Sequence, residues 1–307
     1  MPWPPPKPGN KPMLSRRSCL HAASAAVAAQ ALSACTLNPD KDHNGPDAPR
    51  AQPLRRRPGV AWVFSSGGPR GFVHVGVIKA LAELGLKPDL IVGASAGAMV
   101  GSLFAAGVSA ADLEAFALDL QPLSVARWAM GAQERLSGEA VADLVRSHSP
   151  VGLLEGMPCA MACVATRLRD GVPVAFTAGD VGLAVQASAA IEGQFAPVRI
   201  RGERYVDPDW SMPLPVRLAR TLGAQTVIAV DATAHIDRAP EGAQRYRESD
   251  LRKKALVDTD GALANLVLKP DFGYWVNLSR DFRERAIAAG YRDTLAQAAA
   301  LRALHVV

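Results

Sequence analysis

Hydrophobic residues in the middle of this chain come in short unbroken blocks, separated by glycine-rich turns and by longer stretches of helical spacing. Val60–Phe64 is five apolar residues without a polar break, the pattern of a strand buried on both faces of a parallel sheet. The turn Ser66–Gly71 follows, and Phe72–Leu84 then places Phe72, Val75, Ile78 and Ala82 near one face of a helix that Gly85 and Pro88 end. Asp89–Val92 repeats the strand pattern, Gly93–Gly97 the small-residue turn, and Ala98–Ala106 a second helix stopping before Gly107. Pro158–Ala165 and Thr226–Asp231 read as further strands. Strand, glycine loop, helix, strand, turn, helix predicts an α/β fold with parallel strands and right-handed crossovers.

The first 58 residues follow no such pattern. Arg16 and Arg17 precede an apolar run, Cys19–Ala34, that is too short and too weakly apolar to span a bilayer as a stable helix. It closes on Leu32-Ser33-Ala34-Cys35, which resembles a bacterial lipoprotein signal in which Cys35 is lipidated and becomes the first mature residue. Ser15–Leu20 also resembles a twin-arginine export motif, with Cys19 where an aromatic is usual. Met13–Ala34 is the length expected of such a leader, so Met13 is a second candidate start. Thr36–Pro58, rich in Pro, Asn, Asp and Arg, reads as a flexible tether spanning about 26 Å. The expected layout is a signal peptide at 1–34, a lipidated cysteine and tether at 35–58, and a folded body at 59–307. The resemblance to a lipoprotein signal implies a location in the bacterial cell envelope, with the protein held to a membrane through Cys35.

Charge then removes one class of function. The formal balance is +5, but residues 1–34 contain Lys7, Lys11, Arg16 and Arg17 and no acid, leaving 30 bases against 29 acids elsewhere. No basic face survives removal of the leader, so nucleic acid is not an expected partner. Cys159 and Cys163 lie four apart on a predicted strand, about 13 Å between Cα atoms and beyond disulfide reach, with no His or Asp interleaved for a metal. They read as core residues.

Gly93-x-Ser95-x-Gly97 stands between a strand and a helix, the setting of a nucleophile elbow, where small neighbours allow a turn sharp enough to expose a serine Oγ. The helix that follows adds its N-terminal dipole, which favours negative charge near the serine. The adjacent glycines of Ser66–Gly71 let backbone N–H groups converge on one point, as a tetrahedral oxyanion requires. Taken alone, the same loop also reads as an ordinary strand-to-helix turn or a phosphate cradle. Its spacing is not that of a dinucleotide fingerprint, and no Walker lysine follows it.

Phe64–Leu81 together with Pro88–Gly101 resembles the patatin-like phospholipase family, in its bacterial, lipoprotein-type form. The resemblance implies a three-layer α/β/α fold with a mainly parallel central sheet. It also implies an oxyanion loop at Gly67, Gly68, Arg70 and Gly71, with Ser66 replacing the usual first glycine, and Ser95 as nucleophile. The family's catalytic Asp lies in a D-G-G or D-G-A motif. Here Arg204–Val216 resembles that segment, and its Pro-Leu-Pro-Val ending sets the register that makes Asp207 the equivalent. Pro208 and Asp209 replace both glycines; Pro208 cannot take positive φ and biases Asp207 toward extended geometry. Asp209 is the alternative base. Val164–Asp180, Ala187–Phe195 (with Glu192 where proline is usual), Ala264–Asp271 and a helix over Asp281–Leu304 resemble the remaining blocks of bacterial members.

The resemblance implies a serine acyl hydrolase of lipid carboxylic esters, of phospholipase A, lysophospholipase or esterase type, working through a Ser–Asp dyad without histidine or cofactor. Three alternatives stand beside it. An α/β-hydrolase with a Ser-Asp-His triad needs a histidine, and of His43, His74, His148, His235 and His305 only His235 follows a strand where it could serve. His74, one turn into a helix, is placed to support the oxyanion loop. A catalytically impaired lipid-binding envelope protein of the same fold is suggested by Pro208 and Asp209, and an acyltransferase would use the same acyl-enzyme. Leu123–Leu136, with Trp128 and Met130, and the aromatics Phe272, Tyr274 and Trp275 are candidate lid or interfacial patches.

Overall fold

Val60–Phe64 forms strand β1, buried along its whole length at the middle of the sheet. The computed structural model describes residues 41–120 and 136–305. The signal segment 1–34 and Cys35 therefore lie outside the described residues, as do residues 123–135 of the candidate lid.

The strands are β1, β2 (Leu90–Ala94), β3 (Ala160–Arg167), β4 (Val172–Phe176), β5 (Val198–Ile200), β6 (Glu203–Val206), β7 (Thr226–Val230) and β8 (Leu266–Leu268). They run in the order β5-β6-β3-β2-β1-β7-β8, with β4 also paired to β3. The pairings β3-β2-β1-β7-β8 are parallel, and β4, β5 and β6 add an antiparallel end. Two strands that reach their neighbours' carboxyl ends in register, Phe64 opposite both Gly93 and Val230, bring the glycine loop and the serine turn to one sheet edge. That is where open α/β sheets build their sites.

Alternation along each strand makes the three layers. Trp62, Phe64, Ile91, Met161, Cys163, Ile228 and Val230 enter one core, and Ala61, Val63, Leu90, Val92, Ala162, Val227 and Ala229 enter the other. The first core is covered by α1 (Phe72–Glu83), α2 (Ala96–Ala105), α3 (Ala110–Asp119), α4 (Glu139–His148) and α5 (Val181–Ser188). The second is covered by α6 (Val216–Thr221) and α7 (Arg247–Gly261). Each strand residue is therefore buried whichever way it points, the reason their sequences show blocks rather than alternation.

α1 departs from the one-faced helix expected: Val73, His74, Val75, Val77, Ile78, Ala80 and Leu81 are all buried. Its outer side is covered by α8 (Arg280–Leu295), which passes so close that a Cβ on Gly76 would sit 1.9 Å from the Ile287 carbonyl oxygen. The helix expected over Asp281–Leu304 is divided at Ala296–Gln297 into α8 and α9 (Ala298–Leu304). The break turns Leu301 into the core and brings His305 Nε2 to 3.1 Å from Trp62 Nε1, which donates to it.

The tether is corrected over residues 41–58, which are bound along the surface rather than free. His43 bridges Ile200 and Arg50 bridges Ala178, the Gln52 amide donates to Thr177 Oγ1 at 2.8 Å, and Arg57 Nε donates to Gly223 O at 3.0 Å. These bonds join backbone and side-chain groups of the segment to scattered points of the folded body. A segment held that way shows no hydrophobic period, so its sequence resembles that of a coil. Cys163 is a core residue of β3, as expected, whereas Cys159 precedes the strand and is half-buried; burial pushes both thiols up, Cys159 to about 12. Among the described residues no helix is long and apolar enough to cross a membrane.

Candidate active site

The turn between β2 and α2 is a single residue. Ser95 adopts φ 54° and ψ −119°, a strained conformation for a residue with a Cβ. The glycines on either side make the turn possible: a Cβ on Gly93 would lie 2.5 Å from Gly97 O, and one on Gly97 would lie 2.4 Å from Phe64 O. The elbow is thus pressed onto the end of β1, with no space for side chains. Ser95 is only 4% exposed, and its amide donates to Ser188 Oγ at 2.8 Å, whose hydroxyl donates to Val164 O at 2.5 Å. Ser188, at the end of α5, is a support that sequence reasoning passed over. It lay within a quoted block, but nothing in its spacing marks a hydrogen bond across 93 residues.

The glycine loop packs directly against this elbow, since a Cβ on Gly71 would lie 2.4 Å from the Ala96 Cβ. Gly68–Gly71 is a 3₁₀ turn opened by Gly68 at φ 52°. The Arg70 amide donates to Gly67 O at 3.0 Å, whereas the Gly67 and Gly68 amides enter none of the backbone bonds of the described residues. The Arg70 side chain turns away from the serine: Nη2 donates to Tyr274 O at 3.0 Å, the guanidinium lies 5.9 Å from the Tyr274 ring centre, and burial lowers its pKa. Tyr274 is held in turn by its hydroxyl, which donates to Asp250 Oδ2 at 2.6 Å. His74 is fully buried with its Nε2 2.9 Å from Ser65 O, and burial pushes it down to about 4. A neutral imidazole donating to that carbonyl props up the strand end that feeds the loop.

Asp207 follows β6 directly, in the extended geometry Pro208 imposes (φ −55°, ψ 138°). Its amide donates to Ala190 O at 2.9 Å, and its Oδ1 accepts the Asp209 amide at 2.9 Å, capping the 3₁₀ turn Pro208–Trp210. The carboxyl is 5% exposed and is pushed up to about 7, first by burial and then by the negative charge of Asp209. The Ser95 hydroxyl, Lys253 and the Asp209 amide act the other way, favouring the carboxylate. Oδ2 is buried and holds no hydrogen bond of its own. A carboxylate near neutrality with one unengaged oxygen beside a serine hydroxyl is equipped to accept a proton.

The other candidates are committed elsewhere. Asp209 accepts from Ser66 Oγ at 2.5 Å and forms an ion pair with Lys253. The His235 ring meets Pro270 O at 3.0 Å, and its charged neighbour is Asp293. Ser95, Gly68 and Gly71 open onto a cavity of about 370 Å³ whose other walls include Phe72, Met99, Leu103, Phe116, Val141 and Phe195. Leu120 and Leu136, on either side of the undescribed residues, both line it. Of the candidate interfacial aromatics, Phe272 and Tyr274 are core residues and Trp275 is 51% exposed. Larger cavities of about 710 and 420 Å³ lie beneath residues 51–58, with none of the Ser95, Asp207 or glycine-loop residues in their walls. Among the described residues no three His, Cys, Asp or Glu side chains are grouped to hold a metal.

Residues 62–220, just over half of the chain, match the family model described as patatin-like phospholipase. An uncharacterized NTE family protein of Mycobacterium bovis is 35% identical over 176 residues, which is 56% of this chain and 49% of that protein. A lysophospholipase of Emericella nidulans is 28% identical over 197 residues, 60% of this chain and 12% of the relative. The chain therefore spans about half the length of the mycobacterial relative and a small part of the fungal one. Among solved structures, VipD from Legionella pneumophila aligns with a TM-score of 0.47 at 15% identity, over 88% of this chain and 73% of that one.

Proposed function

This chain belongs to the patatin-like phospholipase family, and we propose that it hydrolyses carboxylic esters of lipids through Ser95 and Asp207. The observation that carries the reading is the buried Asp207 carboxyl, raised to about 7, with Oδ2 unengaged next to a serine on a strained elbow. In the first half-reaction Ser95 Oγ attacks the acyl carbonyl carbon while its proton passes to Asp207 Oδ2. The carbonyl electrons move onto oxygen, and the resulting oxyanion is held by the Gly67 and Gly68 amides near the positive end of α2. Collapse of this intermediate breaks the ester C–O bond, and the leaving alkoxide takes the proton from Asp207. Water then attacks the acyl-serine carbonyl carbon, giving one proton to Asp207. Collapse of the second oxyanion breaks the acyl C–Oγ bond, Asp207 returns that proton to Ser95 Oγ, and the carboxylic acid leaves. The apolar cavity supports an acyl chain as the part of the substrate bound nearest the serine, in keeping with the lysophospholipase name carried by the fungal relative.

A His-dependent triad finds no support in the position of His235. His235→Ala is therefore expected to keep kcat/KM for a chromogenic short-chain ester within about twofold of wild type, where a triad base would cost 10²–10⁴-fold. Loss on that scale would replace the dyad by the triad.

The proposal extends to location: Cys35 as the lipidated residue of an exported envelope protein. Cys35→Ser is expected to move the protein from the membrane to the soluble fraction of fractionated cells. An unchanged distribution would remove the anchor from the reading.

A further inference from the structure

One half-buried constellation is left over by the reaction above. Asp209 stands two residues from the base and takes no part in the transfers, yet its Oδ1 is the shared acceptor of two side chains from distant parts of the chain. Ser66 Oγ donates to it at 2.5 Å, and Ser66 is the first residue of the glycine loop. Lys253, on the inner side of α7 and mostly buried, donates to the same oxygen and completes an ion pair. The Asp209 amide meanwhile holds Asp207 Oδ1, and the Ser66 amide donates to Pro213 O at 2.8 Å, three residues beyond the turn. The loop that would hold the oxyanion and the turn that carries the base are thereby tied together at one carboxylate.

We propose that Asp209 is a positioning residue: clamped between Ser66 and Lys253, it holds the glycine loop in register with the Asp207 turn and sets how readily Asp207 takes up a proton. The inference rests on the reading of Asp207 as the base. The two roles follow from one geometry. A carboxylate bonded to loop and helix fixes the spacing between the oxyanion donors and Oδ2, and a spacing error of about 1 Å costs on the order of 10²-fold in rate. Its charge is also the anion that acts on Asp207, and Lys253 the cation that offsets it. Ser95, at the elbow, is the remaining side chain acting on Asp207; Arg70 does not act on Asp207, and its own charged neighbours are Asp250 and Asp209.

A pair with opposed charges predicts opposed consequences. Removing the anion in Asp209→Asn leaves Lys253 unbalanced, so Asp207 should release its proton at lower pH. Removing the cation in Lys253→Met leaves Asp209 unbalanced, so the same step should move to higher pH. Each change is expected to be about one pH unit. Ser66→Ala keeps both charges and cuts only the tie to the loop; it should lower kcat about 10-fold or more with the titration in place. The measurement is the pH titration of Asp207 in protein labelled with ¹³C-carboxyl aspartate, its resonance identified by loss in Asp207→Asn. It is paired with the acid limb of kcat/KM for a short-chain ester, in the full chain throughout.

Opposite displacements in the two charge variants, and return to the wild-type titration in Lys253→Arg, establish the role. Displacement in one direction for both, or none in variants whose thermal unfolding remains cooperative, overturns it. Should Asp209→Asn fail to fold, the comparison of Lys253→Met with Lys253→Arg decides alone. The resonance does not depend on turnover. Opposed titrations in a protein without esterase activity would uphold the clamp and sink the proposed reaction, while an active enzyme with an unmoved titration would do the reverse.

Discussion

Ser95→Ala is expected to reduce hydrolysis of a chromogenic short-chain acyl ester by about 10⁴-fold or more, the scale on which loss of a nucleophilic serine acts in serine hydrolases. The fold should survive, because alanine meets the same backbone requirement: φ 54° is held by β1 and the flanking glycines, and the Ser95 amide keeps its bond to Ser188. A cooperative thermal transition near that of wild type, together with lost activity, places the chemistry on Oγ. Retained activity in this variant would mean that some other group cleaves the ester, and the proposed reaction would have to be given up. Equal, near-zero activity in wild type and variant on both short esters and phospholipid vesicles would favour the lipid-binding reading, in which the pocket holds an acyl chain without cutting it.

Asp207→Asn carries the second large effect, with two readouts of opposite sign. Asparagine can still accept the Asp209 amide at Oδ1 but cannot take a proton from Ser95, so kcat/KM should fall by about 10²–10⁴-fold. In wild type, activity should rise with pH through the neighbourhood of 7 as Asp207 ionises, and this limb should vanish in the variant. Stability should move the other way. The folded Asp207 binds its proton up to about pH 7, whereas the unfolded carboxyl releases it near 3.8. Between those values the folded state binds more protons, so this group costs stability progressively as pH rises from about 4 to 7, and fully above. Asparagine has no charge to bury. The variant should therefore melt above wild type at pH 8, with the difference disappearing near pH 4. A variant that loses activity without gaining stability at pH 8 would indicate that Asp207 is not a desolvated base, and that its loss is structural.

Several features of this site could be read from the chain alone because each is local. Gly93, Ser95 and Gly97 sit within five residues of one another, and their steric demands concern a single turn. The same is true of the glycine loop, whose strand and helix neighbours are adjacent in sequence. Strand β1 appears at its predicted bounds because burial on both faces leaves no polar position to blur them. The bias of Pro208 on Asp207 was likewise a property of one peptide bond, and the extended conformation found there agrees with it.

What the chain could not show has a common cause: partners brought from far away through the sheet. Arg70 matches a glycine-loop position by pattern, yet only the fold directs its side chain onto Tyr274, 204 residues later. Residues 41–58 resemble a coil because isolated hydrogen bonds to the folded body leave no periodic trace. Asp209, read as a second candidate base, is occupied by Ser66 and Lys253 from opposite ends of the folded body. The sequence by itself therefore determined the α/β class, the elbow, the loop and the family. The tertiary structure alone decided which carboxylate of the turn carries a buried, unengaged oxygen, in which direction burial moves it, and which side chains hold the two halves of the site together. Backbone turns are governed by neighbours in the chain, but desolvation and charge pairing depend on neighbours in space.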